Sequence, residues 1–502
     1  MIRLADPARL SLWCLLAACA ALWSWNALHH PAWVAYDGRA HLLYVETLAR
    51  GRLPDPIDSH EYFGPPLPYL LAAALRGSGR VDLASAARVA QISQVGLGLL
   101  AALALLRLTR LAVGSAALIE GCALALLVGL PVWSKTLVQI RGEVWLAPLL
   151  LLLLAEIALA LRRAPGGELP WIRLALLGGL LGLARQWGLV AVAAIALHLL
   201  VRSGRASGLQ RRALRILALA PLAGALALSA WFYLDLAQAR GAGLFPRRAL
   251  WPALGNQPRE FYAGRGNGAL FADPLRPAFP NQALPILYTE LWGDYWAYFQ
   301  VWGFDERRGR LLFGLDLERA WRDPPRAWQT NRAAARGALA RANRLGVPCT
   351  LWLLLALGWS AAAALRRLRL PFDPSQGGEE TRALCASVCL AGLAAYAVFL
   401  IGFPELQRGD TLKASYLLHL LPLFALLGAA LLERVRRWHP RVALMVALAL
   451  ALSLAANLPR HLTAYSKIAA RAETRFAAIE ETAAKRQQIY LRRASRAESE
   501  AP

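Results

Sequence analysis

The sequence predicts an all-α polytopic membrane protein, with about 11–12 transmembrane helices, amphipathic helices on the outer face and one long extracytoplasmic loop. Three observations carry that prediction. Hydrophobic residues make up 57% of the 502, an apolar content that soluble domains do not sustain over this length. They gather in runs of about 17–25 residues, the length that crosses a bilayer as a helix. The formal net charge of +24 lies mostly in short arginine clusters between those runs. There it sets topology, so membrane lipids are the expected partners and nucleic acid is not.

The apolar runs lie near 10–28, 87–106, 111–131, 144–161, 173–184, 187–201, 214–234, 347–365, 383–402, 414–432 and 441–458. The first, Leu10 to Leu28, follows a basic lead-in at Arg3 and Arg9. It is long for a signal-peptide core and lacks a small-x-small cleavage pattern, so an uncleaved signal anchor is expected. Basic residues then alternate between loops. Arg107/Arg110, Arg162/Arg163/Arg173, Arg202/Arg205/Arg211/Arg212/Arg215, Arg366/Arg367/Arg369 and Arg434/Arg436/Arg437/Arg441 fall on one side, which the positive-inside rule makes cytoplasmic. The other side holds Ala35–Gly79, Pro131–Glu143, Leu236–Leu345, Phe403–Lys413 and the tail after Pro459. The short fifth and sixth runs, split at Arg185-Gln186, are expected to make one net crossing, as a re-entrant pair or one broken helix.

This divides the chain into an N-terminal transmembrane module at 1–235 (first outer loop 29–86), the long loop at 236–346, C-terminal transmembrane helices at 347–458 and a polar tail at 459–502. In the long loop, Ala327 to Leu345 reads as an Ala/Arg helix, either lying on the membrane surface or connecting through solvent. Trp292, Tyr295 and Trp296 read as an interfacial aromatic belt, with a sugar-stacking platform as the alternative. The tail reads as an exposed helix without chemistry. Cys14, Cys19, Cys122, Cys349, Cys385 and Cys389 all lie in or beside apolar runs, so no disulfide framework is indicated. Glu120, placed near mid-depth, and Glu156 lie within predicted spans and need partners. Protonated carboxyls bonded between helices are expected there; a proton path is the transporter alternative.

Candidate chemistry concentrates in the stretch Ala35 to Leu75. Asp37 comes just after the first membrane boundary, followed by His41, Tyr44 and Glu46 at near-helical spacing. Asp55, Asp58 and Glu61 then precede Gly64-Pro65-Pro66. An acid held at the water–lipid boundary by a short amphipathic helix is a poor stability device and a reasonable catalytic one. Asp37 also stands where a helix N-cap belongs, and Gly64-Pro65-Pro66 where a turn belongs.

The layout resembles the membrane-embedded, lipid-sugar-dependent glycosyltransferases of the C-type (GT-C) fold, which include the family 39 protein mannosyltransferases and the bacterial lipid A aminoarabinose transferases. Tyr36-Asp37 with His41, Tyr44, Leu48 and Gly51 resembles the family's acid-led amphipathic helix. Gly64-Pro65-Pro66-Leu67-Pro68-Tyr69 is similar to its His-x-Pro-Pro-Leu-x-Tyr segment. Arg141-Gly142-Glu143 resembles an Arg-x-acid motif, and Gly179 to Arg185 a Gly-rich segment ending in a base. Lys413 to Pro422 resembles a late Arg-Tyr-Leu-Leu-Pro motif. The sequence departs at Gly38, where many relatives carry a second acid, at Gly64 in place of a His, and at Ser415 in place of the late Arg.

The resemblance implies transfer of a sugar from a polyprenyl-phosphate donor to a lipid, glycan or protein acceptor, with inversion. It implies an integral membrane protein of a bacterial inner membrane, with its catalytic loops on the periplasmic side. Asp37 becomes the base, or the acid that orients the acceptor, and a raised pKa at the membrane edge would suit the first role. Glu143 is the second acid. Arg185, Arg141 and Lys413 are candidates for the donor phosphate, since guanidinium groups stay charged when desolvated. His41, Tyr44, Tyr416 and Trp292 are candidate sugar or acceptor contacts. The resemblance fixes no particular cofactor; a divalent cation stays open, with Asp37, Glu143 and His60 as candidate ligands. The alternatives are a transporter or lipid-sugar flippase, and an inactive relative.

Overall fold

The computed structural model describes residues 7–162, 168–238, 257–323, 325, 328–402, 412–467 and 474–499. Arg3, Arg163, Ala327, the loop part 239–256 and most of the outer loop 403–411, all invoked above, lie outside the described residues.

Every predicted run contains a helix, that of 414–432 beginning as an α-helix only at Leu421. The chain opens with α1 (Pro7–His29), α2 (Gly38–Ala49), α3 (Leu70–Gly77), α4 (Leu83–Ala112), α5 (Ala117–Val128), α6 (Pro131–Leu137) and α7 (Glu143–Leu161). There follow α8 (Trp171–Ala184), α9 (Gln186–Ser203), α10 (Gly208–Gln238), α11 (Arg259–Ala263), α12 (Ala283–Trp292) and α13 (Leu315–Arg322). Last come α14 (Arg332–Arg369), α15 (Gly377–Gly402), α16 (Leu421–Trp438), α17 (Pro440–Ala456) and α18 (Thr474–Ser499). Among the described residues, seven helices are long and apolar enough to cross a membrane, or eight if α5 and α6, bent by 63°, form one broken span. The chain is an all-α integral membrane protein. Among the described residues the strands are three short ones, β1 (Gly303–Asp305), β2 (Arg310–Leu312) and β3 (Trp328–Thr330), antiparallel in the order β2-β1-β3.

Four expectations change. The third run does not start at 111: Gly114, at φ 131°, ends α4, and α5 begins at Ala117. The Ala/Arg stretch neither lies on the surface nor merely connects. From Arg332 it runs unbroken into the span as α14, 38 residues long. Within it Gly346 makes room for Trp292, whose nearest ring carbon would stand 2.4 Å from a Cβ there. The fifth and sixth runs make no net crossing. α8 rises from the arginine end, Arg185 turns the chain in an extended conformation (φ −168°, ψ 158°), and α9 returns to the same end, where Arg202 grips Glu380 at 2.6 and 2.9 Å.

The fourth change concerns the acids within the spans. Glu120 sits in the first turn of α5, not at mid-depth, and pairs with Arg110 at 2.7 Å. Glu156 pairs with Arg107 at 3.0 Å. Both are ion pairs with the C-terminal end of α4, which removes the cost of an isolated charge in lipid.

The arginine clusters thus share one end of the bundle, and the first outer loop, α12, the small sheet and α18 share the other. There the tail helix is docked. Arg39 donates to Thr482 (2.9 Å), Arg50 to the Ala483 carbonyl (2.8 Å) and Arg52 to Gln487 (2.9 Å) while lying 4.1 Å from the Tyr490 ring.

Candidate active site

The first outer loop positions Asp37 by backbone geometry. Asp37 stands at φ 54°, ψ 21°, a left-handed conformation that Asp tolerates better than most residues. Its carbonyl accepts the N–H groups of Ala40 and His41, which starts α2, but its side chain makes no capping bond. The carboxylate is left to accept from Lys413 Nζ at 2.6 Å and to meet His60 Nε2 at 3.2 Å. Gly38 follows because a Cβ there would stand 2.4 Å from the Trp33 carbonyl oxygen. A second acid directly after Asp37 has no room on this backbone.

Electrostatics reverse one expectation. Burial pushes the Asp37 carboxyl up, but Lys413 and His60 outweigh it and hold the group well below the usual carboxylate range. His60 shifts upward, first through its hydrogen bond to Asp37. Burial lowers His41 to about 4, so its ring is neutral. His41 Nδ1 meets the Tyr69 hydroxyl at 2.8 Å, and its Nε2 has no hydrogen-bond partner among the described residues.

A second group of charges joins the first through Glu61. Arg185 Nη1 donates to Glu61 Oε2 at 3.0 Å, and Arg185 Nε lies 3.2 Å from Glu143 Oε1. Arg141 Nε donates to Glu143 Oε2 at 2.8 Å. Gly142 permits this junction of the α7 start with the α8–α9 turn: a Cβ there would lie 2.2 Å from the Ala184 carbonyl oxygen. Three carboxylates (Asp37, Glu61, Glu143) therefore face three fixed cations (Lys413, Arg185, Arg141). Tyr36 and Tyr416 lie between the groups, each 5.5–5.7 Å from both Lys413 Nζ and the Arg141 guanidinium carbon. Arg141 Nη2 is buried without a partner among the described residues.

Beneath Asp37 runs a support that the sequence reading missed. The Tyr36 hydroxyl donates to Glu290, which also accepts from Lys135 Nζ at 2.6 Å. Asp294 caps the next turn, accepting the N–H groups of Tyr298, Phe299, Gln300 and Val301 at 2.6–3.2 Å. A lone lysine among apolar residues of the second outer loop, Pro131–Glu143, was the available signal for Lys135. For Glu61 it was adjacency to His60. Nothing local marks Glu290 as its partner.

Asp37, His60, His41, Lys413, Arg141, Glu143, Arg185 and Tyr416 thus converge. Tyr44 lies beneath them, stacked on Tyr69 at 4.1 Å and donating to the Gly64 carbonyl at 2.8 Å, where it holds the Gly64-Pro65-Pro66 turn. Trp292 is elsewhere: fully buried against α14, its indole donates to Thr350 at 2.8 Å. Tyr295 and Trp296 are buried too, so these three rings form no lipid-facing belt.

Donor atoms of Asp37, His60 and Glu61 lie within 4.8 Å of one another, which is ligand-like spacing. Yet Lys413 already neutralises Asp37 and Arg185 neutralises Glu61. Glu143, the other expected ligand, is held by two guanidinium groups. A divalent cation there would share Asp37 and Glu61 with these two fixed cations, each of which engages one carboxylate oxygen.

No protein-family model matches the chain, and no curated protein sequence matches it. Among solved structures it is similar to the oligosaccharyltransferase of Archaeoglobus fulgidus. The apo form is 16% identical, with 92% of this chain and 56% of that chain covered and a TM-score of 0.47. The form tethered to an acceptor peptide is 15% identical, with 90% and 55% covered and a TM-score of 0.49. The form with an inhibitory peptide and a dolichol-phosphate is 14% identical, with 90% and 56% covered and a TM-score of 0.43. The chain spans about half the length of these structures.

Proposed function

We propose that this protein is a GT-C-type glycosyltransferase that moves a sugar from a polyprenyl-phosphate carrier to an acceptor, with inversion, on the extracytoplasmic face of a bacterial inner membrane. The observation that carries this reading is the Asp37–Lys413 pair at 2.6 Å, set in a charge-balanced cluster with two further guanidinium groups at the loop end of the bundle. In that pair Asp37 is a weak base, because Lys413 holds it ionised. A donor phosphate changes this. It competes for Lys413 and for the unpartnered Arg141 Nη2, and as Lys413 turns to it, Asp37 loses its cation and gains proton affinity.

The transfer then balances as follows. Asp37 takes the proton of the acceptor hydroxyl or amine. The acceptor atom bonds to the anomeric carbon from the face opposite the phosphate, and the bond from that carbon to the phosphate oxygen breaks. The polyprenyl phosphate leaves with the electron pair, its charge met by Lys413, Arg141 and Arg185. His60, hydrogen-bonded to Asp37 and well exposed, offers the proton a way to water.

Purified protein in proteoliposomes, supplied with a panel of polyprenyl-phosphate sugars and cell-envelope acceptors, should release polyprenyl phosphate and label an acceptor. Donor turnover with no sugar in the panel would overturn the reading. The transporter alternative is disfavoured by Glu120 and Glu156. Both are neutralised by arginines at the end of the bundle away from the cluster, and among the described residues no chain of carboxyls crosses it.

A further inference from the structure

At the arginine end, remote from Asp37, the C-terminal ends of α14 and α16 and the start of α15 enclose a cavity of about 410 Å³. Its lining carries five arginines (Arg366, Arg367, Arg382, Arg434, Arg437) against two acids, Glu379 and Glu433. The acids are already committed. Glu433 accepts from Arg436 at 2.7 Å and from Arg437 at 2.8 Å. Glu379 is paired with Arg367, with Arg382 at 3.8 Å. Arg366 and Arg434 face no carboxylate within 4.0 Å among the described residues; Arg434 lies only over the Trp438 ring, at 4.2 Å. A second observation is independent of charge. The Ser360 hydroxyl lines the same cavity, is buried, and has no hydrogen-bond partner among the described residues. A cavity with surplus guanidinium groups and an unsatisfied hydroxyl is built for a ligand that brings several anionic oxygens.

We infer that this cavity binds the phosphate of an anionic membrane lipid. The surroundings favour a lipid over a free phosphate. Leu365, Leu370 and Trp438 stand at the same level with half or more of their surface exposed (60%, 50% and 65%). Exposed apolar side chains beside the end of a membrane-spanning bundle suit a ligand that brings acyl chains of its own. Basic pockets between membrane helices at the cytoplasmic boundary suit such headgroups.

The test uses the full-length protein, delipidated in detergent and titrated separately with phosphatidylglycerol, phosphatidylcholine and inorganic phosphate. Bound lipid is counted by native mass spectrometry and thermal unfolding is followed in parallel. Phosphatidylglycerol should bind at least tenfold more tightly than phosphatidylcholine, and inorganic phosphate should compete only weakly. Arg366→Gln combined with Arg434→Gln orphans no carboxylate, and should weaken phosphatidylglycerol binding roughly thirtyfold, at about a factor of five or six per basic residue. Equal binding of the two lipids by the wild type overturns the inference whether or not the variant folds. So does inorganic phosphate that stabilises as well as phosphatidylglycerol, or a folded double variant that keeps wild-type lipid affinity.

Discussion

Asp37→Asn separates the catalytic from the structural role of the Lys413 pair. The change is isosteric and the left-handed backbone suits Asn as well as Asp, so α2 should still start at Gly38. Losing a general base costs about a hundredfold to ten-thousandfold in rate, or about 2.7–5.4 kcal/mol in the barrier. The structural cost is smaller. Breaking a fully buried ion pair costs about 3–5 kcal/mol, but the Asp37 side chain is 28% exposed and that of Lys413 11%. Water therefore reaches the stranded ammonium, and a loss of about 1–3 kcal/mol is expected. The double variant Asp37→Asn/Lys413→Met should recover most of that stability and none of the transfer. The wild type should itself lose the pair's contribution in acid. Asp37 is depressed below its ordinary 3.8, so the contribution is full above that value and disappears as pH falls through the folded-state value. The assays are initial rates of sugar transfer in proteoliposomes and thermal unfolding followed by tryptophan fluorescence. Transfer by Asp37→Asn within threefold of wild type refutes the base assignment.

Other perturbations reach different parts of the site. His60 is raised by its bond to Asp37, so its contribution to stability is complete below its ordinary 6.5 and fades as pH rises through the higher folded value; His60→Asn should flatten that part of a stability-versus-pH curve, and an unchanged curve would argue against the bond. Chelators should leave transfer unchanged to within about twofold, because Lys413 and Arg185 already neutralise the trio; metal-restored activity after chelation would contradict that charge count. Trp292→Ala should destabilise by about 3–5 kcal/mol through the cavity left against Gly346, with donor KM unchanged in protein that folds; a selective rise in donor KM would instead assign the ring to the sugar.

How far the sequence led depended on the range of the interaction involved. Span positions and the alternation of arginine clusters were legible because lipid forces each crossing to be apolar and helical whatever surrounds it. Asp37, Glu143, Arg185 and Lys413 stood out as polar residues at the edges of apolar runs. The depression of Asp37 was not legible, since it depends on an ammonium 376 positions away. Trp292 read as interfacial because aromatic residues beside a membrane often are; Gly346 and Thr350 on α14 put it in the interior instead. Two of the three departures from the resembled motifs have local causes visible only in three dimensions. The Trp33 carbonyl fills the space beside Gly38, and Arg185 Nη1 stands 3.0 Å from where a Cβ on Gly64 would project.

The docking of α18 on the first outer loop has a consequence for biosynthesis. Arg39 and Thr482 are separated by 443 positions. At translation rates of about 5–20 residues per second, the ribosome needs roughly 20–90 s to travel between them. Throughout that interval the first outer loop waits without its covering strap: Glu61 meets Arg185 after 124 positions, but Asp37 meets Lys413 only after 376. A chaperone, or the translocation machinery itself, would find its window there.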